Sequence, residues 1–131
     1  MLSLPAEFRE AMIAHARDEF PLECCGLLAG VDGAPVKLIR ATNSEASEFR
    51  YRVEDRELLR FLRECEDNGW DFLAVYHSHT RSEAYPSPTD VRLARNWPDP
   101  YYILVSLEDR ENPVVRAFRI TDGEITEEKT G

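Results

Sequence analysis

Two histidines one residue apart, His77 and His79, end the apolar run Phe72-Leu73-Ala74-Val75-Tyr76. That run is read as a buried central strand, and residues two apart on a strand project to the same face. Both imidazoles can therefore reach one cation. A third ligand must come from another element, and Asp90 qualifies. Ser87-Pro88-Thr89-Asp90 opens a short helix to about Arg95, with Ser87 as cap, Pro88 in the first position and Asp90 in the first turn. Zinc takes imidazole nitrogens and carboxylate oxygens in a tetrahedron. Three protein ligands leave its fourth position to water, which is the arrangement of a catalytic site rather than a structural one. A His-x-His pair alone is a short motif, and Ser-x-x-Asp alone is an ordinary helix cap. Their succession, after a buried strand and at the start of a helix, points to a metal.

Hydrolysis at such a centre also needs a group that moves protons. Zinc brings the pKa of bound water to about 7, and a nearby carboxylate can take the proton and later hand it to a leaving amine. The chain has 25 acidic residues, so spacing alone cannot choose one. Glu23 stands between the helix-stopping Pro21 and the apolar segment that begins at Cys24, but from position alone an exposed linker glutamate is the favoured reading of it. Ser87 has two readings as well: its hydroxyl caps the helix, or it donates to the oxyanion that develops at a scissile carbonyl.

The elements that must position these residues are legible from periodicity. A helix is predicted from about Pro5 to Phe20, with Phe8, Ala11, Met12, Ala16 and Phe20 as its apolar stripe and His15 at the surface or boundary. Cys24 to Ala29 is predicted as a buried strand, Gly30 to Pro35 as a turn and Val36 to Ala41 as the hairpin partner. Asn43 to Glu48 reads as loop. Phe49-Arg50-Tyr51-Arg52-Val53 alternates strictly, which predicts a half-exposed strand. A second helix should run from about Asp55 to Asp67, burying Leu58, Leu59, Phe61, Leu62 and Cys65, with Gly69 as its cap. After the loop 80–86 and the short helix, Tyr101 to Leu107 and Val114 to Ile120 are expected as strands. Thr121-Asp122-Gly123 then turns into a short solvated tail strand. Strands and helices do not alternate regularly, so a doubly wound sheet is disfavoured. The expected class is α/β of the α+β kind, a mixed sheet with helices packed against it.

Composition sets the outer limits. The 131 residues suit one domain, spanning 1–131, that can bury a core without disulfides. Sixteen basic and 25 acidic side chains give a formal charge of −9, a field that repels nucleic acid and anionic membrane alike. Cys24, Cys25 and Cys65 are odd in number and form no CxxC pair, so they read as core or neighbouring packing residues, and Trp70 and Trp97 as packing. Met1 to Pro5 lacks the basic flank and long apolar run of a signal peptide, and no segment approaches the roughly 18 apolar residues of a membrane span. A reducing cytoplasm is the expected location.

His77-x-His79, seven intervening residues, Ser87, two more and Asp90, with Glu23 upstream, resembles the signature of the JAMM (MPN+) metallopeptidases. The resemblance implies an MPN/JAB1-type, cytidine-deaminase-like domain with a curved mixed sheet and one zinc on His77, His79 and Asp90. It further implies Glu23 as general acid/base and Ser87 near the oxyanion. Pro21 to Gly26, Tyr76 to Thr80, Glu83 to Ser87, Thr89 to Val91 and Tyr102 to Ser106 are similar to an actinobacterial subgroup. Thr80 stands where the wider family commonly has proline, and the subgroup shares the threonine. Members of that subgroup release cysteine from the C-terminal glycine of a small ubiquitin-like sulfur-carrier protein. The implied partner is thus such a carrier with a Gly-Gly end, as an amino-acid adduct. Removal of ubiquitin-like proteins from conjugates or fusions, and binding of the carrier without cleavage, are the alternatives.

Overall fold

The structure is a computed structural model that describes residues 2–130; Met1, the first residue of the leading segment read above, and Gly131 lie outside the described residues. The elements follow in the order α1 (Ala6–Glu19), β1 (Cys25–Val31), β2 (Ala34–Ala41), α2 (Asp55–Asn68), β3 (Asp71–His79), α3 (Pro88–Ala94), β4 (Tyr101–Ser106), β5 (Val114–Thr121) and β6 (Glu124–Glu128). The strands form one six-stranded sheet in the order β2-β1-β3-β4-β5-β6. Every neighbouring pair is antiparallel except β3 and β4. A mixed sheet flanked by helices is therefore present, as the irregular alternation of elements implies.

The central strands carry unbroken apolar runs because the sheet is covered on both faces. Tyr76, Ile103, Val105 and Leu28 pack with Met12 and Ala16 of α1. Leu27, Val75 and Tyr102 pack on the opposite side with Phe61 and Cys65 of α2 and Ala94 of α3. Cys24 falls in the first cluster and Cys25 in the second, and all three cysteines are buried and free, as their reading as core residues requires. Both Asp-Gly pairs turn hairpins: Asp32-Gly33 and Asp122-Gly123 have positive φ at both positions, the backbone that a two-residue type I′ connection needs. The first hairpin is therefore tighter than the turn predicted over 30–35, and Pro35 lies inside β2, on an edge strand where its missing N–H is tolerated.

Three expectations are corrected. The segment 49–53 is not a strand; only Val53 bridges, to Asn43. Its ladder groups are taken by a side chain, since Asn43 receives the Arg52 N–H and donates to the Arg50 carbonyl. His15 is buried rather than superficial. It lies one turn beyond Met12 on the covered face of α1, and its Nδ1 is 2.6 Å from the Tyr76 hydroxyl. Leu59 is half exposed, because the buried stripe of α2 runs through Leu58, Phe61, Leu62 and Cys65 and leaves Leu59 to one side. Among the described residues no helix is long and apolar enough to cross a membrane.

Candidate metal centre

The two strands β3 and β4 are parallel, so the chain must cross over between them, and α3 lies in that crossover. The loop leaving the C-terminal end of β3 thus leads directly into the first turn of α3. This connection brings Asp90 opposite His77 and His79. The N-terminus of α3 is closed by a capping box: the Ser87 Oγ accepts from the Asp90 N–H at 3.1 Å, and the Asp90 Oδ2 accepts from the Ser87 N–H at 2.9 Å. The cap fixes the direction of the carboxylate as much as that of the helix.

Asp90 Oδ2 lies 3.0 Å from His79 Nε2 and 3.1 Å from His77 Nε2. Donor atoms of the three side chains all lie within 4.8 Å of one another, and all three residues are buried. His79 Nδ1 is 2.8 Å from the Glu83 carbonyl oxygen, which can only accept, so Nδ1 carries the proton. A neutral His79 then turns the lone pair of Nε2 toward a carboxylate oxygen. Only a second proton or a cation reconciles the two. Neither nitrogen of His77 finds a hydrogen-bond partner among the described residues, although both are buried. Its Nε2 is close to Asp90 but not aligned for a hydrogen bond. A buried unpaired nitrogen is costly, and a shared cation would relieve both imidazoles at once. Neighbouring ligands on a tetrahedron with bonds of about 2.0–2.1 Å stand roughly 3.3 Å apart, close to the two imidazole–carboxylate separations found here. The donor set therefore fits a small divalent ion, and a carbonyl behind a ligating histidine is the usual outer support. Tyr51 completes the support on the other side, stacking on the His77 ring with centroids 4.0 Å apart and planes 18° from parallel.

Electrostatics agree with the geometry. Burial works against ionisation of Asp90, but the two imidazoles and the Ser87 N–H outweigh it and hold the carboxyl well below the usual range. Burial lowers the pKa of His77, with Asp90 only partly offsetting it. His79 ends raised, because its bonds to Asp90 and to the Glu83 carbonyl exceed the effect of burial.

Glu23 lies just ahead of β1. The pairing of Cys25 with His77 leads back along the two strands to Glu23 beside His79. Between them, Ser78 N–H donates to the Cys24 carbonyl at 3.1 Å and Cys24 N–H to Ser78 Oγ at 2.8 Å. Glu23 is 4% exposed, and its Oε1 has no partner among the described residues. Burial pushes its carboxyl up to about 8, against the pull of His79 and together with the push of Asp90. A carboxyl so placed holds its proton beyond the usual carboxylate range, and a cation on the adjacent side chains would draw that range back down.

The fold thus gathers His77, His79, Asp90, Ser87 and Glu23, the five residues that the sequence singles out. Two further residues support the site. Tyr51 lies in a segment whose alternation predicts a strand, and Asn43 in one whose polarity predicts a loop. No local pattern marks either. In the sequence Thr80 stands out only for its departure from proline. It is buried, and its hydroxyl donates to the Glu48 carbonyl at 3.2 Å, which no proline could do.

Residues 5–121 match the family described as prokaryotic homologs of the JAB domain. The chain is 45% identical over 130 residues to a CysO-cysteine peptidase of Mycobacterium tuberculosis, spanning 98% of this chain and 88% of that protein. It is 34% identical over 125 residues to a probable TtuB-protein conjugate cleaving protease of Thermus thermophilus, spanning 95% and 79%. The solution structure of a Desulfitobacterium hafniense protein superposes with a TM-score of 0.88 at 34% identity, covering 99% of this chain and 91% of that one. With the family match running from α1 to the end of β5, and with the sheet order and buried His-His-Asp cluster described above, the chain belongs to the prokaryotic JAB domain family.

Proposed function

We propose that the protein is a zinc-dependent peptidase that hydrolyses the bond between the C-terminal glycine of a ubiquitin-like sulfur-carrier protein and an attached amino acid, cysteine by preference. In this reading the whole chain, 1–131, is one catalytic domain working in the cytoplasm and serving cysteine biosynthesis. The observation that carries the chemistry is the buried convergence of His77, His79 and Asp90 beside a Glu23 carboxyl whose Oε1 has no partner among the described residues. The substrate is supported by the likeness to the CysO-cysteine peptidase over 98% of the chain.

His77, His79 and Asp90 would hold the ion, which supplies Lewis acidity and an acidified water when bound. The remaining work falls to side chains of this chain. Glu23 takes the proton from the attacking water and returns it to the leaving amino group. Its burial raises its proton affinity and an ion on the neighbouring ligands would lower it, and the balance of the two lets one carboxyl both take and return a proton. Ser87 keeps its oxygen on the Asp90 N–H, so its own proton is left to donate to the oxyanion; capping and catalysis are compatible on one hydroxyl. The carrier tail would lie extended across the mouth of the site.

The test is intact mass of a carrier–cysteine adduct incubated with zinc-loaded protein. Loss of one cysteine residue is expected with wild type, and a rate reduced at least about 100-fold with Glu23→Gln. An adduct that keeps its mass, or a Glu23→Gln protein as fast as wild type, would sink the proposal. A second reading, cleavage of protein conjugates, is favoured by the likeness to the Thermus thermophilus protease. Comparing the amino-acid adduct with a lysine-linked conjugate of the same carrier separates the two.

A further inference from the structure

The segment between β2 and α2 has no regular structure, yet it is tied together by one side chain. Asn43 Nδ2 donates to the Arg50 carbonyl at 2.9 Å, and Asn43 Oδ1 accepts from the N–H groups of Glu45 and Arg52, both at 3.0 Å. These bonds close the loop on itself. The same Nδ2 donates a second bond, at 3.1 Å, to the carbonyl of Glu23. The amide thereby uses both its donors and both acceptor positions. The loop grips Glu23 from its other side too, since the Glu23 N–H donates to the Ser47 carbonyl at 2.8 Å. Glu23 precedes β1 and lies outside the paired register of that strand, so these two bonds from the loop are what hold its main chain.

The loop also reaches the metal ligands. Tyr51, stacked on His77, lies between Arg50 and Arg52, the two residues whose backbones Asn43 binds. The Glu48 carbonyl takes the hydroxyl of Thr80, the residue after His79, and the Glu48 carboxylate pairs with Arg81 at 3.0 Å. A single asparagine thus connects the carboxyl that moves protons with the ring that supports one ligand.

We infer that Asn43 is a positioning residue for the peptidase reaction: it touches neither substrate nor ion, and it sets the place of Glu23 through that residue's main chain and the place of His77 through Tyr51. The inference rests on the role proposed for Glu23. Displacements of about 1 Å in a reacting group cost on the order of 100-fold in rate, so a main-chain anchor beside the general base should be felt in turnover rather than in binding.

Asn43→Asp tests this with little change of shape. One carboxylate oxygen still receives the Glu45 and Arg52 N–H groups, while the other faces the carbonyls of Glu23 and Arg50 without a proton to give. With zinc-loaded full-length protein and the carrier–cysteine adduct, kcat should fall at least about 10-fold, with KM within about threefold of wild type. Chelator competition should still find one zinc per chain. Ser44→Ala is the control, because the Arg52 carbonyl keeps the Ser44 N–H when the hydroxyl is lost, and it should turn over like wild type. A folded Asn43→Asp protein with kcat unchanged, a rise confined to KM, or an equal loss in Ser44→Ala overturns the inference. Should Asn43→Asp lack a cooperative melt, native-state hydrogen exchange on wild type decides. Slow exchange of the Asn43 Nδ2 protons, which bond the Glu23 and Arg50 carbonyls, together with the Arg52 amide that Asn43 Oδ1 receives, supports the anchor, and free exchange of the Nδ2 protons overturns it. An adduct left intact by wild type would instead defeat the peptidase reading, and the exchange experiment would still report whether Asn43 holds Glu23.

Discussion

Glu23 is a carboxyl whose surroundings oppose its charge, and that has a thermodynamic signature. Burial raises it from an ordinary value of 4.5 to about 8, with His79 drawing it down and Asp90 pushing it up. Between these two values the unfolded chain has released the proton and the folded protein still holds it. The stability that Glu23 contributes therefore falls as pH rises through that window. Asp90 behaves oppositely, since its folded pKa is depressed and its contribution is already complete above the ordinary carboxylate range. Near pH 6.5 His77 and His79 shift in opposite directions and work against each other. Comparison with Glu23→Gln isolates the glutamate. In metal-free protein, the urea midpoint of wild type relative to Glu23→Gln should decline from pH 5 to pH 8. A difference that stays level across that range would mean the carboxyl is not held neutral. A divalent cation close by lowers a carboxyl pKa, so saturating zinc should flatten the decline.

Two elements set the site, and each offers a sharp substitution. In α3 the Ser87 hydroxyl caps the helix and is also placed to donate toward substrate. Ser87→Ala should lower stability by about 1 kcal/mol, the usual cost of a lost cap. It should lower kcat by about 100-fold or more if the hydroxyl also serves the oxyanion. A loss of turnover no larger than the loss of folded protein at the assay temperature would leave Ser87 a cap and nothing else. In the sheet, β1 passes so close to Tyr76 that a Cβ on Gly26 would stand 2.2 Å from the ring. Tyr76 has little room to retreat, because it is fully buried and its hydroxyl is bonded to His15. Gly26→Ala should therefore destabilise by about 1–3 kcal/mol or more through overpacking, seen as a shift in denaturant midpoint. The strain falls on the residue next to His77, so zinc affinity should weaken as well. Helix α2 and the Asp-Gly hairpins were legible from local chemistry, namely an apolar stripe, a glycine cap and a two-residue turn. The segment 49–53 was not. Its alternation is that of a strand, but Asn43 supplies its backbone with bonds that no local pattern announces.

Over the whole molecule, the site joins pieces far apart in the chain: the lead into β1, the end of β3 and the start of α3. An ion that binds only when these are assembled stabilises the folded state by mass action, by about 2.7 kcal/mol at a free concentration 100 times Kd. Zinc should accordingly raise Tm by several degrees, and a chelator should return it to the metal-free value. Asp90→Asn should abolish most of that rise, with the metal-free Tm as the reference for each protein. The division between sequence and fold follows from the range of the forces involved. Ligand types, their spacing on one strand and at one helix start, and the capping signature are local, and His77, His79, Asp90 and Ser87 could be named from them. Glu23 could be selected only by resemblance, because nothing within a few residues distinguishes it from the other acidic side chains. What settled its surroundings was long-range pairing, which lays β1 against β3 and buries the carboxyl beside His79, its Oε1 without a partner among the described residues. The same holds for His15, whose burial depends on Tyr76, 61 residues later, and for Tyr51, whose purpose is visible only once its ring lies on that of His77. Desolvation and stacking act between surfaces that meet only on folding, so a linear pattern can propose the ligands but not the neighbours that set their charge and orientation.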